Sequence, residues 1–226
     1  MENYKSIAID GPCGAGKSTI AKQLAKKLGF IYVDTGALYR AIAFYITENN
    51  ISPNNQSAIK NSLKNINIKL EYTNNSQKII LNNKDVTNNI RTPKISMVAS
   101  IISAFNFVRE FLFDLQQNMA KNNNVIMDGR DIGTVVLPNA NLKIFLTASK
   151  KSRAIRRYKE LLLTNNNNIN FDDVYKELVE RDKNDSSREI APLKQADDAI
   201  LVDSSNMDFN QTLNHIYKII TNTILK

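Results

Sequence analysis

Ser6-Ile7-Ala8-Ile9-Asp10-Gly11-Pro12-Cys13-Gly14-Ala15-Gly16-Lys17-Ser18-Thr19 joins a short apolar run to a glycine-rich turn ending in Lys-Ser. The run Ser6–Ile9 reads as a buried strand, and a helical pattern begins near Lys17. Three of the chain's 7 glycines fall between positions 11 and 16. Without Cβ atoms, that backbone can turn successive N–H groups inward around phosphate oxygens. A helix starting at its end points a positive dipole at the same anion. Lys17 can reach the β- and γ-phosphates, and the Ser18 hydroxyl can ligate Mg²⁺. The stretch from Gly11 to Thr19 therefore predicts a nucleoside triphosphate site.

Working outward, short β-branched runs alternate with helical patterns. The strand-like runs are Ser6–Ile9, Phe30–Val33, Val125–Met127, Leu142–Leu146 and Ala199–Val202. Such alternation predicts a parallel sheet of five strands, covered by helices on both faces. Residues with useful chemistry follow these runs: Asp10, Asp34-Thr35-Gly36, Asp128-Gly129-Arg130-Asp131 and Asp203. Ligands of parallel sheets bind at those carboxyl ends. Two regions break the rhythm. Ile66–Tyr72 and Gln77–Leu81 alternate with period two around Asn74-Asn75-Ser76, which predicts an antiparallel hairpin within an insertion at about 65–91. Residues at about 149–192 are helical and rich in arginine, the place for a lid. The expected core is thus about 1–64, 92–148 and 193–226 of a single domain. Asn165–Asn168 is expected to form a flexible tip between lid helices.

Composition narrows the classes. The 226 residues are 42% hydrophobic, ordinary for a globular chain. The most apolar stretch, Ile95 to Phe107, is interrupted by Ser96, Ser100, Ser103 and Asn106, too short and polar for a bilayer span. No secretory apolar segment precedes the first strand, so a cytoplasmic location and no membrane partner are expected. One cysteine excludes an internal disulfide, and one histidine leaves no His/Cys zinc set. The net charge of +8 raises the class of ATP-dependent nucleic-acid-binding proteins. The lysines are spread along helices without interleaved aromatics, so the charge reads as suited to phosphate-rich substrates, and no nucleic-acid partner is expected.

Arg153, Arg156 and Arg157 fall at i, i+3 and i+4, a spacing that puts three guanidinium groups on one helical face. A solvated basic face and a clamp over transferring phosphates both fit that pattern. Arg181, Asp182, Asp185 and Arg188 repeat opposite charges at helical spacing. No Asp-x-x-Gly or Asn-Lys-x-Asp occurs, which removes the guanine-reading set of GTPases, and the His-Arg-Asp and Asp-Phe-Gly signatures of protein kinases are absent too. A small-molecule phosphotransferase remains.

The sequence closely resembles the bacterial cytidylate kinase family. The resemblance is carried by residues 7–19, by Asp-Thr-Gly-Ala-Leu-Tyr-Arg at 34–40, by Asp-Gly-Arg-Asp-Ile-Gly-Thr at 128–134 and by Arg-Asp-Lys-Asn-Asp-Ser-Ser-Arg-Glu-Ile-Ala-Pro-Leu at 181–193. Asp-Val-Thr-x-x-Ile-Arg-Thr at 85–92 is similar to the end of that family's acceptor-binding insertion. Cys13 stands where the family usually has Ser.

The resemblance implies a P-loop NTPase three-layer sandwich, with a small antiparallel β insertion that binds the nucleoside monophosphate and a helical lid. It implies ATP and Mg²⁺ as donor and metal, CMP and dCMP as acceptors, and a monomer. Another kinase of the same fold, acting on UMP or a different small molecule, is the alternative. Carried over by motif, Gly11, Pro12, Cys13, Gly14, Ala15, Gly16, Lys17, Ser18 and Thr19 meet ATP, with Ser18 on the metal. Lys17, Arg130, Arg181, Arg153 and Arg157 make up the catalytic cations. Thr35, Arg40, Ser100, Arg109, Gly129, Arg130, Asp131, Asp185 and Arg188 meet the acceptor. Arg40 is expected on its phosphate with Arg130 and Arg181 as further candidates, Ser100, Arg109 and Asp131 on its base, and Asp185 and Arg188 on its ribose.

Overall fold

The computed structural model describes residues 4–73, 76–163 and 169–224. The expected tip at Asn165–Asn168, and the Asn74-Asn75 part of the hairpin turn, lie outside the described residues. The chain runs β1 (Ser6–Asp10), α1 (Lys17–Leu28), β2 (Ile31–Asp34), α2 (Thr35–Glu48), α3 (Gln56–Ser62), β3 (Ile68–Thr73), β4 (Ser76–Leu81), β5 (Lys84–Asp85) and α4 (Pro93–Ile102). It continues through α5 (Asn106–Asn122), β6 (Val125–Gly129), a π-turn (Ile132–Val136), β7 (Leu142–Thr147), α6 (Lys150–Leu162), α7 (Phe171–Ser186), β8 (Ile200–Asp203) and α8 (Phe209–Ile224).

The strand runs read from the sequence are those of the main sheet, ordered β2-β6-β1-β7-β8 with every neighbour parallel. The apolar residues of β1 and β6 are fully buried because both faces are covered. Ile20 and Leu24 of α1 and Ile216 and Ile220 of α8 pack on one face. Val33, Met127, Ile132 and Val136 cluster on the other. Burial of each such aliphatic side chain contributes about 2 kcal/mol against exposure. Sheet register then aligns the functional ends: Asp34 pairs with Asp128, and Gly129 pairs with Asp10. Three strands thus deliver their last residues to one edge.

The antiparallel sheet β3-β4-β5 occupies the predicted insertion. Its apolar face, including Ile68, Ile79 and Leu81, belongs to one cluster with Leu38 and Ile42 of α2, Ile59 of α3, Ile102 of α4 and Leu112 of α5. That cluster starts well upstream of residue 65, so the hydrophobic unit around the insertion is larger than the period-two pattern indicated. A polar bolt adds to it. Gln77 on β4 accepts from the Asp34 N–H at 2.9 Å and donates to the Asp34 carbonyl at 3.5 Å. Among the described residues no single helix is long and apolar enough to cross a membrane. The apolar Ile95–Phe107 stretch instead bends by 102° between α4 and α5.

Candidate active site

The turn after β1 is locally dictated. Gly11 has φ +146°, and a Cβ there would collide with the Leu146 carbonyl oxygen of neighbouring β7. The loop passes too close to β7 for any other residue. The loop then enters α1 at Lys17, whose first-turn N–H groups have no intrahelical acceptors. The Lys17 ammonium folds back over the loop and donates to the Pro12 carbonyl at 2.7 Å. Burial, reinforced by the Arg130 charge, pushes its pKa down to about 7. The Ser18 hydroxyl donates to Asp128 Oδ2 at 2.7 Å. Burial, reinforced by Asp34, raises the Asp128 carboxyl to about 6, and its Oδ1 is buried without a hydrogen-bond partner.

Lys17 and Ser18 open onto a cavity of about 350 Å³. Cys13, Gly14, Gly16 and Thr19 line its loop side; Gly11, Pro12 and Ala15, also expected on ATP, do not line it. Every residue predicted for the acceptor nucleotide lines the same cavity: Thr35, Arg40, Ser100, Arg109, Gly129, Arg130, Asp131, Asp185 and Arg188. They come from β6, α2, α4, α5, α7 and adjoining loops, so the fold joins motifs far apart in sequence.

Most of these groups hold one another. The Thr35 hydroxyl donates to the Asp128 carbonyl at 2.7 Å, which leaves it able to accept. Asp34 caps α2 by accepting from the Ala37 N–H and also pairs with Arg40 at 2.9 Å. Arg109 pairs with Asp131 Oδ2 and donates to the Ser103 carbonyl at 3.0 Å, while its guanidinium lies over the Tyr39 ring. Asp185 takes Arg130 Nε at 2.7 Å on one oxygen and Arg188 on the other, with the Ser100 hydroxyl at 3.5 Å. Burial works against the Asp185 charge, but Arg130 and Arg188 hold its carboxyl below the usual range. Arg130 is half-buried and kept protonated by Asp185.

Some donors are left over. The Nε atoms of Arg40, Arg181 and Arg188 are buried without a partner among the described residues, and all three residues line the cavity. A buried guanidinium N–H without an acceptor is costly. The three guanidinium groups make that part of the cavity wall cationic.

The predicted arginine face of α6 divides. Arg157 lines the cavity, paired with Glu160 at 2.9 Å. Arg153, expected among the catalytic cations, does not line it: it is 4% exposed and donates to the carbonyls of Ala148 and Cys13, each at 2.8 Å. Its remaining charge is met by Asp182 at 2.8 Å. Arg156 holds the Ser204 carbonyl at 2.6 Å. The spacing gave a shared helical face correctly, but the groups meeting that face came from distant segments.

Sequence reasoning gave no role to Asp10, Asp34 or Asp128, though each was conspicuous after a strand. Asp10 accepts the N–H groups of Ile132 and Gly133 at 2.9 and 2.7 Å, which fixes the π-turn directly after Arg130-Asp131. Tyr39, Arg91, Ser96, Ser103 and Glu160 also line the cavity and were not predicted.

The sequence matches the cytidylate kinase family across residues 7–222. It is 48% identical to a cytidylate kinase of Carboxydothermus hydrogenoformans, over 95% of this chain and 96% of that protein. A cytidylate kinase of Fusobacterium nucleatum is also 48% identical, over 94% of this chain and 95% of that one. A bifunctional pantoate ligase/cytidylate kinase of Prochlorococcus marinus is 50% identical over 99% of this chain, which spans 44% of that longer protein. Among solved structures, an uncharacterized protein of Eubacterium ventriosum superposes with a TM-score of 0.52 at 12% identity, covering 96% of this chain and 98% of that one, an agreement of fold. With a match of this length beside a cleft that gathers all four sequence motifs, the chain belongs to the cytidylate kinase family.

Proposed function

We propose that the protein transfers the γ-phosphoryl group of ATP to CMP or dCMP, giving ADP and CDP or dCDP. The observation that carries this reading is one continuous cavity with two chemically different ends. At one end stand the glycine loop, Lys17 and Ser18; at the other, the buried Arg40, Arg181 and Arg188 nitrogens lack an acceptor. A triphosphate fits the first and a monophosphate the second.

The acceptor phosphate supplies its own nucleophile. Its second pKa lies near 6, so at neutral pH it is largely dianionic and needs no general base. Catalysis then rests on in-line positioning and on cations that neutralise the equatorial oxygens. Lys17, Arg130, Arg181 and Arg157 all line the cavity, which supports this role for them. Asp131, held by Arg109, can accept from the exocyclic amino group of cytosine, whereas uracil presents a carbonyl there.

Magnesium fits the donor end. Ser18 and Asp128 already touch, and Asp128 Oδ1 is a buried acceptor without a donor. No group of three or more His, Cys, Asp or Glu is arranged to cage a metal among the described residues. Magnesium suits such a sparse set, since it keeps several waters and takes its other ligands from phosphates. When bound, it would neutralise charge on the β- and γ-phosphate oxygens.

A panel of CMP, dCMP, UMP, AMP and GMP, each with ATP and magnesium in an ADP-release assay, tests the reading. CMP and dCMP are expected to give the highest kcat/KM. A folded protein that consumes ATP with none of them refutes it, and a preference for UMP would move it to a neighbouring kinase.

A further inference from the structure

Both backbone polar groups of Cys13, in the glycine loop, are held by two lid residues that no step above uses. Asp182 Oδ1 accepts from the Cys13 N–H at 3.3 Å, and Arg153 donates to the Cys13 carbonyl at 2.8 Å. Arg153 and Asp182 pair with each other at 2.8 Å, and their side chains are 4% and 14% exposed. The same guanidinium reaches the Ala148 carbonyl just beyond β7. One cation and one carboxylate therefore join the sheet, the loop and α7. Packing alone gives little support here. Gly14 has α6 backbone and Leu178 within 3.2 Å of where a Cβ would be, but a cavity of about 520 Å³ opens beside Pro12, Val179 and Asp182.

Helix α7 carries a second carboxylate three residues further on. Asp185 lies on the same face as Asp182 by helical spacing, and it holds Arg130 and Arg188, which face the acceptor end. A single helix thus grips the donor loop with one acid and the acceptor arginines with the next. Movement of α7 as Arg130 and Arg188 close on an acceptor would be transmitted to the loop amides that hold the triphosphate.

We infer that Asp182, acting through Arg153 on the Cys13 backbone, is a positioning residue that couples the donor and acceptor nucleotide sites. The inference rests on the ATP:CMP reading of the cavity. It makes affinity at the two sites interdependent by a coupling free energy carried by α7.

The test is binding of a β,γ-imido ATP analogue, measured by calorimetry with magnesium, with and without saturating CMP. Wild-type protein is expected to bind the analogue at least about fivefold more tightly when CMP is present, the lower range of measured couplings. Asp182→Asn preserves shape and an acceptor for the Cys13 N–H but removes the charge that holds Arg153. In it the ratio should fall to about one, while CMP affinity in the absence of the analogue stays within about twofold of wild type. Arg153→Lys, which keeps the charge but loses the fork, should give the same collapse. The Asp182→Asn/Arg153→Lys double variant should be no worse than either single, because the residues act as a unit. A merely structural role would lower stability or both affinities and leave the ratio intact. A wild-type ratio of one, or a wild-type ratio retained in Asp182→Asn, overturns the inference while leaving the kinase reading in place. Absence of CMP-dependent turnover in wild type overturns both.

Discussion

Asp131→Asn separates base reading from phosphate handling more cleanly than any other single change. Asp131 is 5% exposed, lines the acceptor end and meets Arg109 through Oδ2. In the proposed complex its carboxylate accepts from the cytosine amino group, a charged hydrogen bond worth about 1.5–3 kcal/mol. Uracil turns a carbonyl toward the same carboxylate, so the interaction becomes repulsive. The amide of asparagine can present either an acceptor or a donor, which removes the charge and the sign of the discrimination together. By that magnitude the ratio of kcat/KM for CMP over UMP should fall by at least about tenfold. Stability falls as well, because Arg109 is buried. Removing one partner of a buried pair outright costs about 3–5 kcal/mol. Asparagine keeps an acceptor for Arg109, and the Ser103 carbonyl remains at 3.0 Å, so the variant should lie below that range and still fold. The assay is steady-state kinetics for both nucleotides at fixed ATP and magnesium, with a thermal melt on the same preparation. A folded variant whose CMP/UMP ratio stays within about twofold of wild type would falsify the assignment of Asp131 to the base.

Three further outcomes follow from the same geometry. Arg130→Met should lower kcat/KM for CMP at least about tenfold in a coupled assay, and unchanged turnover would remove Arg130 from the phosphate. Gly11→Ala must place a Cβ against the Leu146 carbonyl at φ +146°, so a loss of about 3 kcal/mol or more is expected in urea unfolding, with ATP binding lost at ordinary temperature; a near-wild-type midpoint would contradict the close approach. Burial raises the buried Asp10 from 3.8 to about 6 despite its bonds to the N–H groups of Gly133 and Ile132. The folded state therefore holds this proton more tightly than the unfolded state, and the resulting stability, complete below pH 3.8, is lost as pH rises through 6. Unfolding free energies of Asp10→Asn minus wild type should increase by about 2 kcal/mol between pH 4.5 and 7.5, and a flat difference would refute the buried-acid account.

What was legible in the sequence was what local chemistry decides. Ser6–Ile9 read as a buried strand, and the glycines at 11, 14 and 16 as an anion loop following it. The β-branched runs before Asp34 and Asp128 marked their strands to within a residue or two, because parallel strands buried on both faces leave an unbroken apolar signal. Period-two alternation located the hairpin, yet not the extent of the cluster that supports it, since Leu38 and Ile102 join it from helices far along the chain. The same limit explains Arg153 and Arg156. Helical arithmetic gave their common face, but the partners facing them, the Cys13 and Ser204 carbonyls, are brought there by the sheet. Gln77 bolting the insertion to Asp34 was equally invisible, because a glutamine in a strand has no local signature.

The pairing of most cleft arginines with an aspartate looks at first like an obstacle to phosphate binding. The atoms involved argue otherwise. Asp185 engages Arg130 through Nε, and Asp34 engages Arg40 through a terminal nitrogen, so each guanidinium keeps further N–H donors for an oxyanion. The acids fix where the forks point before substrate arrives, so less side-chain entropy is lost on binding. They also limit what else the cleft can do. A carboxylate held by one or two guanidinium groups is stabilised in its charged form and is a poor proton acceptor. Asp185, held by Arg130 and Arg188, is in that condition. Base-catalysed attack by a neutral hydroxyl is therefore ill served at Asp185, whereas an acceptor that arrives already ionised needs only the orientation these pairs supply. That asymmetry favours a phosphate over an alcohol as the nucleophile.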